Sequence, residues 1–310
     1  MVKDIPSECK VLIENFRLKP PCIERCQAKE IPSVVERVNG ELKVNGCLTA
    51  HTILTLLEAQ RLTQVFKKQN KKVLEDVSEL SNKDFWLIPV SILLLHDVGK
   101  LADDYVERRG FKHWQVSALT YAKALKDFLG DKLALIGSYA ILLHHEAMDW
   151  RRLEKTPHFT YLDEAFSLIY YTVSSNRLKI FKSNINPLLK QLANLNIITN
   201  SQHNMLKQIL EQSLNVLAEN YMKNIDLGSE LEKYKFSENI RYLVPSLFLY
   251  RIVYLADNRA ASARERFWEN LIKNINWNNS EEVAEQIVHV LSRQRQTRYV
   301  GLSAIPDLTN

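Results

Sequence analysis

The chain has 310 residues, 46% hydrophobic and 25% charged, an ordinary composition for a globular protein with material for one large core or two small ones. A net charge of +5 and a pI near 8.8 favour a polyanionic partner, because excess Lys and Arg attract phosphates over long range. The longest apolar run, Phe85 to Leu95, falls well short of the roughly 20 residues of a membrane span, and the start "MVKDIPSECK" has no apolar stretch behind its charge, so neither a span nor a signal peptide is expected. The cysteines, Cys9, Cys22, Cys26 and Cys47, all lie near the N-terminus. No second pair or suitably spaced histidine completes a zinc site with Cys22 and Cys26, so reduced thiols in a reducing cytoplasm are expected.

In chain order, "SVVERVNGELKVNG" alternates apolar and charged residues around Asn39-Gly40, which predicts a small β-hairpin within an N-terminal extension, 1–47. From Leu48 the spacing turns helical, with Leu48, Ile53, Leu56, Leu57 and Leu62 on one stripe and His51 near the helix start. "NKDFWLIPVSILLLHDVGK" predicts a helix opened by Asn82, ending at Asp97 or Val98, with Gly99 as breaker. "KHWQVSALTYAKALKDFL" and "DKLALIGSYAILLHHEAMDW" predict two more helices, and Pro157 marks a loop. Residues 175–238 read as a helical insertion. "VPSLFLYRIVYLADNRAAS" is an apolar helix carrying Asp257, and 271–310 holds a last amphipathic helix opened by Ser280. The expected fold is all-α: one domain whose core is 48–174 with 239–270.

Metal-capable side chains recur at or inside these apolar helices: His51, His96 with Asp97, His113, His144 with His145, and Asp257. A buried charge or unpaired imidazole costs several kcal/mol unless satisfied, and a bound cation satisfies both. Neighbours on a helix diverge by about 100°, so His96 and Asp97 can address two adjacent metals with the carboxylate bridging. Two metals roughly 3.5–4 Å apart clamp a phosphate and generate a hydroxide nucleophile.

The order His51, His96-Asp97, Asp257, with "LLLHDVGK" about the central pair, resembles the H…HD…D signature of the HD phosphohydrolase superfamily, an all-α fold that hydrolyses phosphoesters. His113 and the His144-His145 pair resemble its binuclear subset, and "YLADNRAAS" resembles the last-helix pattern of the HD nuclease of type I CRISPR interference. No G-x-x-x-x-G-K-[ST] P-loop accompanies it, so the resemblance is to the stand-alone nuclease subunit rather than to a helicase fusion. It covers Cys47 to Trp150 and Val244 to Arg266. The resemblance implies one metal on His51, His96, Asp97 and Asp257, and a second on Asp97, His113, His144 and His145. It makes Lys100 a phosphate-binding catalytic lysine and matches Ser262 to the family serine. Imidazole-rich ligation suits Mn, Fe, Co or Ni better than Mg.

"HHEAMD" also resembles the HHExxD of cyclic-dinucleotide phosphodiesterases of the HD-GYP type, but "WRRLEKTP" replaces their Gly-x-Gly-Tyr-Pro continuation. Basic clusters beside the proposed ligands, Arg109 with Lys112, and Arg151, are the expected nucleic-acid track. Trp114 and Trp150 are candidates for stacking on bases, and His158, His203 and His289 are read as structural. The implied activity is metal-dependent hydrolysis of single-stranded DNA, with a separate helicase and a CRISPR target-recognition complex as partners. The alternatives are a nucleotidase or cyclic-nucleotide phosphodiesterase on the same metals, and a metal-stabilised binding or regulatory module.

Overall fold

The computed structural model describes residues 6–16, 31–38, 41–65, 72–73, 86–107, 111–144, 170–219 and 240–262. Helices dominate them, as the apolar periodicity requires. In order they are α1 (Ser7–Phe16), β1 (Val34–Val38), β2 (Glu41–Asn45), α2 (Leu48–Val65), α3 (Leu87–Leu95), a 3₁₀ turn (Val98–Leu101), α4 (Asp103–Glu107), α5 (His113–Leu129), α6 (Asp131–Leu143), α7 (Ser175–Asn194), α8 (Asn200–Ala218) and α9 (Ile240–Ser262). β1 and β2 pair antiparallel in the register Val34↔Asn45 to Val38↔Glu41. The expected turn at Asn39-Gly40, the Asn82 cap, the Pro157 loop and the helix in 271–310 lie outside the described residues.

The core is built around α3, every residue of which is buried. Pro89 is tolerated there because it falls in the first turn, where its missing N–H has no partner within the helix. Ser91 donates to the Ile88 carbonyl and meets the Tyr121 hydroxyl at 3.0 Å, so α3 is tied to α5 through satisfied polar atoms. α2 is buried over most of its length, and its threonines return their hydroxyls to the helix: Thr52 to the Leu48 carbonyl, Thr55 to that of His51 and Thr63 to that of Ala59. α5 packs along α6, and α9 lies against both α2 and α6.

α3 ends earlier than the sequence predicts. Its last helical residue is Leu95; His96 and Asp97 occupy a turn, and Asp97 leaves the helical region with φ −115° and ψ 8°. Gly99 is not a helix cap but a point of close approach. A Cβ there would lie 2.1 Å from the His113 carbonyl oxygen, while the Gly99 N–H donates to Ser117 Oγ at 2.9 Å. The absent side chain therefore lets the 3₁₀ turn press against the start of α5.

The segment read as an insertion contributes to the same core. Leu188, Leu189 and Leu192 of α7, and Leu206, Ile209, Leu210 and Leu217 of α8, join the hydrophobic cluster formed by α2, α3, α5 and α6. α8 packs on α5, and the turn before it accepts Trp86 Nε1 through the Ile197 carbonyl at 2.5 Å. Asn196 takes a positive φ of 54° in that turn, which asparagine tolerates better than most residues. Thr199 and Gln202 then form a capping box that starts α8. Cys9 and Cys47 are buried in the core. Among the described residues no helix is long and apolar enough to cross a membrane.

Candidate metal centre

The ends of the core helices deliver the centre. His51 comes from the first turn of α2, His96 and Asp97 from the turn closing α3, His113 from the first residue of α5, and His144 from the residue after α6. Asp257 comes from the C-terminal part of α9. Because these helices pack through apolar faces, side chains up to 206 positions apart are held against one another.

Two groups of donor atoms meet at Asp97. His51, His96, Asp97 and Asp257 each offer a ligand atom within 4.8 Å of the others, as do Asp97, His113 and His144. In the first group His51 Nε2 lies 2.8 Å from Asp257 Oδ1 and 3.4 Å from Asp97 Oδ2. His96 Nε2 lies 3.4 Å from Asp97 Oδ2 and 3.7 Å from Asp257 Oδ1. In the second, His113 Nε2 is 3.1 Å and His144 Nε2 3.9 Å from Asp97 Oδ1. The two oxygens of one carboxylate thus face two imidazole sets.

The donor set fits a divalent cation. His96 Nδ1 is 2.7 Å from the Leu93 carbonyl and His144 Nδ1 2.5 Å from that of Ile141. A carbonyl only accepts, so these nitrogens carry protons and each ring turns its Nε2 toward the cluster. His96 Nε2 is fully buried and makes no hydrogen bond. A buried ring nitrogen without a hydrogen bond costs free energy in a protein interior, and a cation bound at Nε2 would satisfy it.

Protonation follows the same geometry. Burial works to raise the Asp97 pKa, but Lys100, His96 and His113 beside it hold it well below the usual carboxylate range. Asp257 is held low in the same way, against burial, by His51 and His96. Burial would lower His51, yet hydrogen bonding to Asp257 and the charge of Glu8 raise it to about 9. Burial lowers His113 and His144 to about 4 despite the acids near them. The metal-free centre therefore holds ionised carboxylates, an imidazolium at His51 and neutral rings at His113 and His144.

Lys100 donates to Asp97 Oδ2 at 2.6 Å, and Asp97 raises its pKa although burial opposes this. It remains an ammonium beside the shared carboxylate. Ser262 donates to the Arg259 carbonyl at 2.8 Å, and Lys112 stands half-buried immediately before α5. His145, Arg109 and Arg151 lie outside the described residues.

Sequence reasoning missed Glu8. It is fully buried in α1, with Oε1 3.4 Å from His51 Nδ1, and no spacing rule connects it to a histidine beyond the β-strands. Its only signal was an acid among buried positions of a short N-terminal helix. A buried ion-pair group also went unnoticed: Glu58 accepts from Arg61 at 2.6 Å and faces Arg259 Nε at 3.1 Å, joining α2 to α9 close to Asp257. Compared with known proteins, the chain matches no protein-family model and no curated sequence. The centre is accordingly described by its own geometry: buried histidine and aspartate groups, arranged as two sets about Asp97, that can hold a metal ion.

Proposed function

We propose that this chain is a metal-dependent phosphodiesterase of HD type, a nuclease acting on single-stranded DNA in CRISPR interference alongside a separate helicase and a target-recognition complex. The observation that supports it is the convergence on Asp97 of His51, His96, His113, His144 and Asp257, the side chains that the H…HD…D order and its binuclear extension single out. The substrate and the pathway rest on the resemblance of "LLLHDVGK" and "YLADNRAAS" to that nuclease.

In this reading His51, His96, Asp97 and Asp257 would hold one cation, and Asp97, His113 and His144 would hold another. Divalent cations in such a site supply Lewis acidity toward phosphoryl oxygens and acidify water at neutral pH. The protein's own groups do the rest. His51 gives up the proton that it shares with Asp257 Oδ1 when the site fills, so loading is coupled to deprotonation. The Leu93 and Ile141 carbonyls hold Nδ1 of His96 and His144 and so turn each Nε2 toward Asp97. Lys100 places fixed positive charge where a phosphoester's negative charge must be accommodated.

The test offers single-stranded DNA, duplex DNA, RNA and mononucleotides to the purified protein with Mn, Ni, Co, Fe or Mg, alongside Asp97→Ala. Metal-dependent cleavage of single-stranded DNA that disappears in the variant is the expected result. Absence of cleavage, or cleavage unchanged in Asp97→Ala, defeats the nuclease reading, and turnover of nucleotides alone replaces it with a nucleotidase.

A further inference from the structure

Glu8 is separated from α2 by the β1–β2 pair, yet its carboxylate sits at the mouth of that helix with no exposure to solvent. Among the described residues Ser33, Cys47 and His51 face it. Ser33 Oγ donates to Oε1 at 2.9 Å and to Oε2 at 3.0 Å, and the Cys47 N–H donates to Oε2 at 2.8 Å. The His51 ring meets it through charge rather than a hydrogen bond, with Nδ1 3.4 Å from Oε1 while Nε2 faces Asp97 and Asp257. The space is reserved for it: a Cβ at Gly46 would lie 2.2 Å from Glu8 Oε2 and 2.0 Å from Ser33 Oγ, and Gly46 has a φ of +75° that disfavours a side chain in any case. The Ser33 carbonyl in turn accepts from the Tyr105 hydroxyl at 3.0 Å, and the Tyr105 ring packs edge-on against His113 with centroids 5.0 Å apart.

We propose that Glu8 is a positioning residue of the metal centre: the charge of its carboxylate, 3.4 Å behind Nδ1, favours the His51 proton there and turns Nε2 toward Asp97 and Asp257, making the N-terminal helix an integral wall of the site. The inference rests on the metal-binding reading above. Carboxylate behind imidazole is the arrangement that fixes the ring and raises its basicity toward a cation. A simpler role, capping the positive end of α2 through the Cys47 N–H, would stabilise the helix and leave the ligand field of a bound cation unchanged.

Glu8→Gln separates the two roles, because the amide oxygen still accepts from Cys47 and Ser33 while the charge behind His51 is gone. Cobalt(II) is titrated into the full-length wild type and the variant, following the visible d–d spectrum and the dissociation constant, with thermal unfolding of the metal-free proteins as the folding control. The expected result is about 10- to 100-fold weaker binding of one cobalt and a changed spectrum in Glu8→Gln. Equal affinity and an identical spectrum, with or without a lower melting temperature, overturn the proposal and leave Glu8 a helix cap. Should Glu8→Gln not fold, Ser33→Ala removes the hydroxyl that anchors the carboxylate and is judged by the same two readouts, with several-fold weaker binding expected and none overturning it. Failure of the wild type itself to bind cobalt rejects the metal reading and this inference together, a result distinct from an unaffected variant.

Discussion

Asp97 meets Lys100 and His51 through one oxygen and His113 through the other, at 2.6, 3.4 and 3.1 Å. Asp97→Asn keeps the shape of the side chain but removes the charge that both histidine sets share. It is expected to abolish cation binding in both, a loss larger than the ~10- to 100-fold that follows removal of an outer partner, as isothermal titration would register. Cation binding at this centre is expected to depend on pH through His51, in a definite direction. With a pKa of about 9 in the metal-free protein it carries a proton at neutral pH, so loading must release that proton and apparent affinity rises with pH until about 9. Titrations in buffers of different ionisation enthalpy should give about one proton released at pH 7.5, and a buffer-independent enthalpy there would contradict this assignment.

The same residues fix how the metal-free fold responds to acid. His113 and His144 have folded-state values near 4 against 6.5 for the free side chain, so the unfolded chain takes up protons first as pH falls. Stability is lost between 6.5 and 4, by roughly 3 kcal/mol for each ring at the bottom of that window. His51 has the opposite sign: raised to about 9, its contribution is complete below 6.5 and fades as pH rises through 9. Two losses outweigh one retained gain on the acid side. Urea unfolding in the presence of a chelator should therefore show lower stability at pH 5 than at pH 7; the reverse order would mean that the two rings are exposed or protonated in the fold.

Among the elements, the 3₁₀ turn and α5 meet at Gly99. Gly99→Ala places a methyl group 2.1 Å from the His113 carbonyl, backbone that cannot yield, so the turn and the first residue of α5 must separate. A cost of about 1–3 kcal/mol is expected from calorimetry, together with weaker binding at the His113 set, because His113 is the residue displaced. Between α2 and α9 the buried Glu58 compensates Arg259, and both are more than nine-tenths buried. Glu58→Ala leaves that arginine without its acid and should destabilise by about 3–5 kcal/mol, far more than a surface pair would. An effect below about 1 kcal/mol would show that Arg259 finds another partner.

For the molecule as a whole, the buried acids and imidazoles gather where five helices end, so a cation that satisfies them stabilises the folded state selectively. At a free concentration 100 times its dissociation constant, a cation should add about 2.7 kcal/mol, seen as a higher melting temperature that a chelator reverses. α7 and α8 belong to this same body, since their leucines complete the core over α5.

The sequence by itself determined the helical class and the residue types of the candidate centre, because periodicity and the order of His and Asp along apolar helices are local properties of the chain. His51, His96, Asp97, His113, His144 and Asp257 were legible for that reason, each being a polar residue where the pattern asked for an apolar one. Only the tertiary structure decided that α3 stops at Leu95, that Gly99 serves a contact rather than a cap, and that Glu8 stands behind His51. Each depends on atoms from distant segments meeting in three dimensions. Close approach and shared burial leave no periodic trace in the chain, whereas amphipathic spacing does.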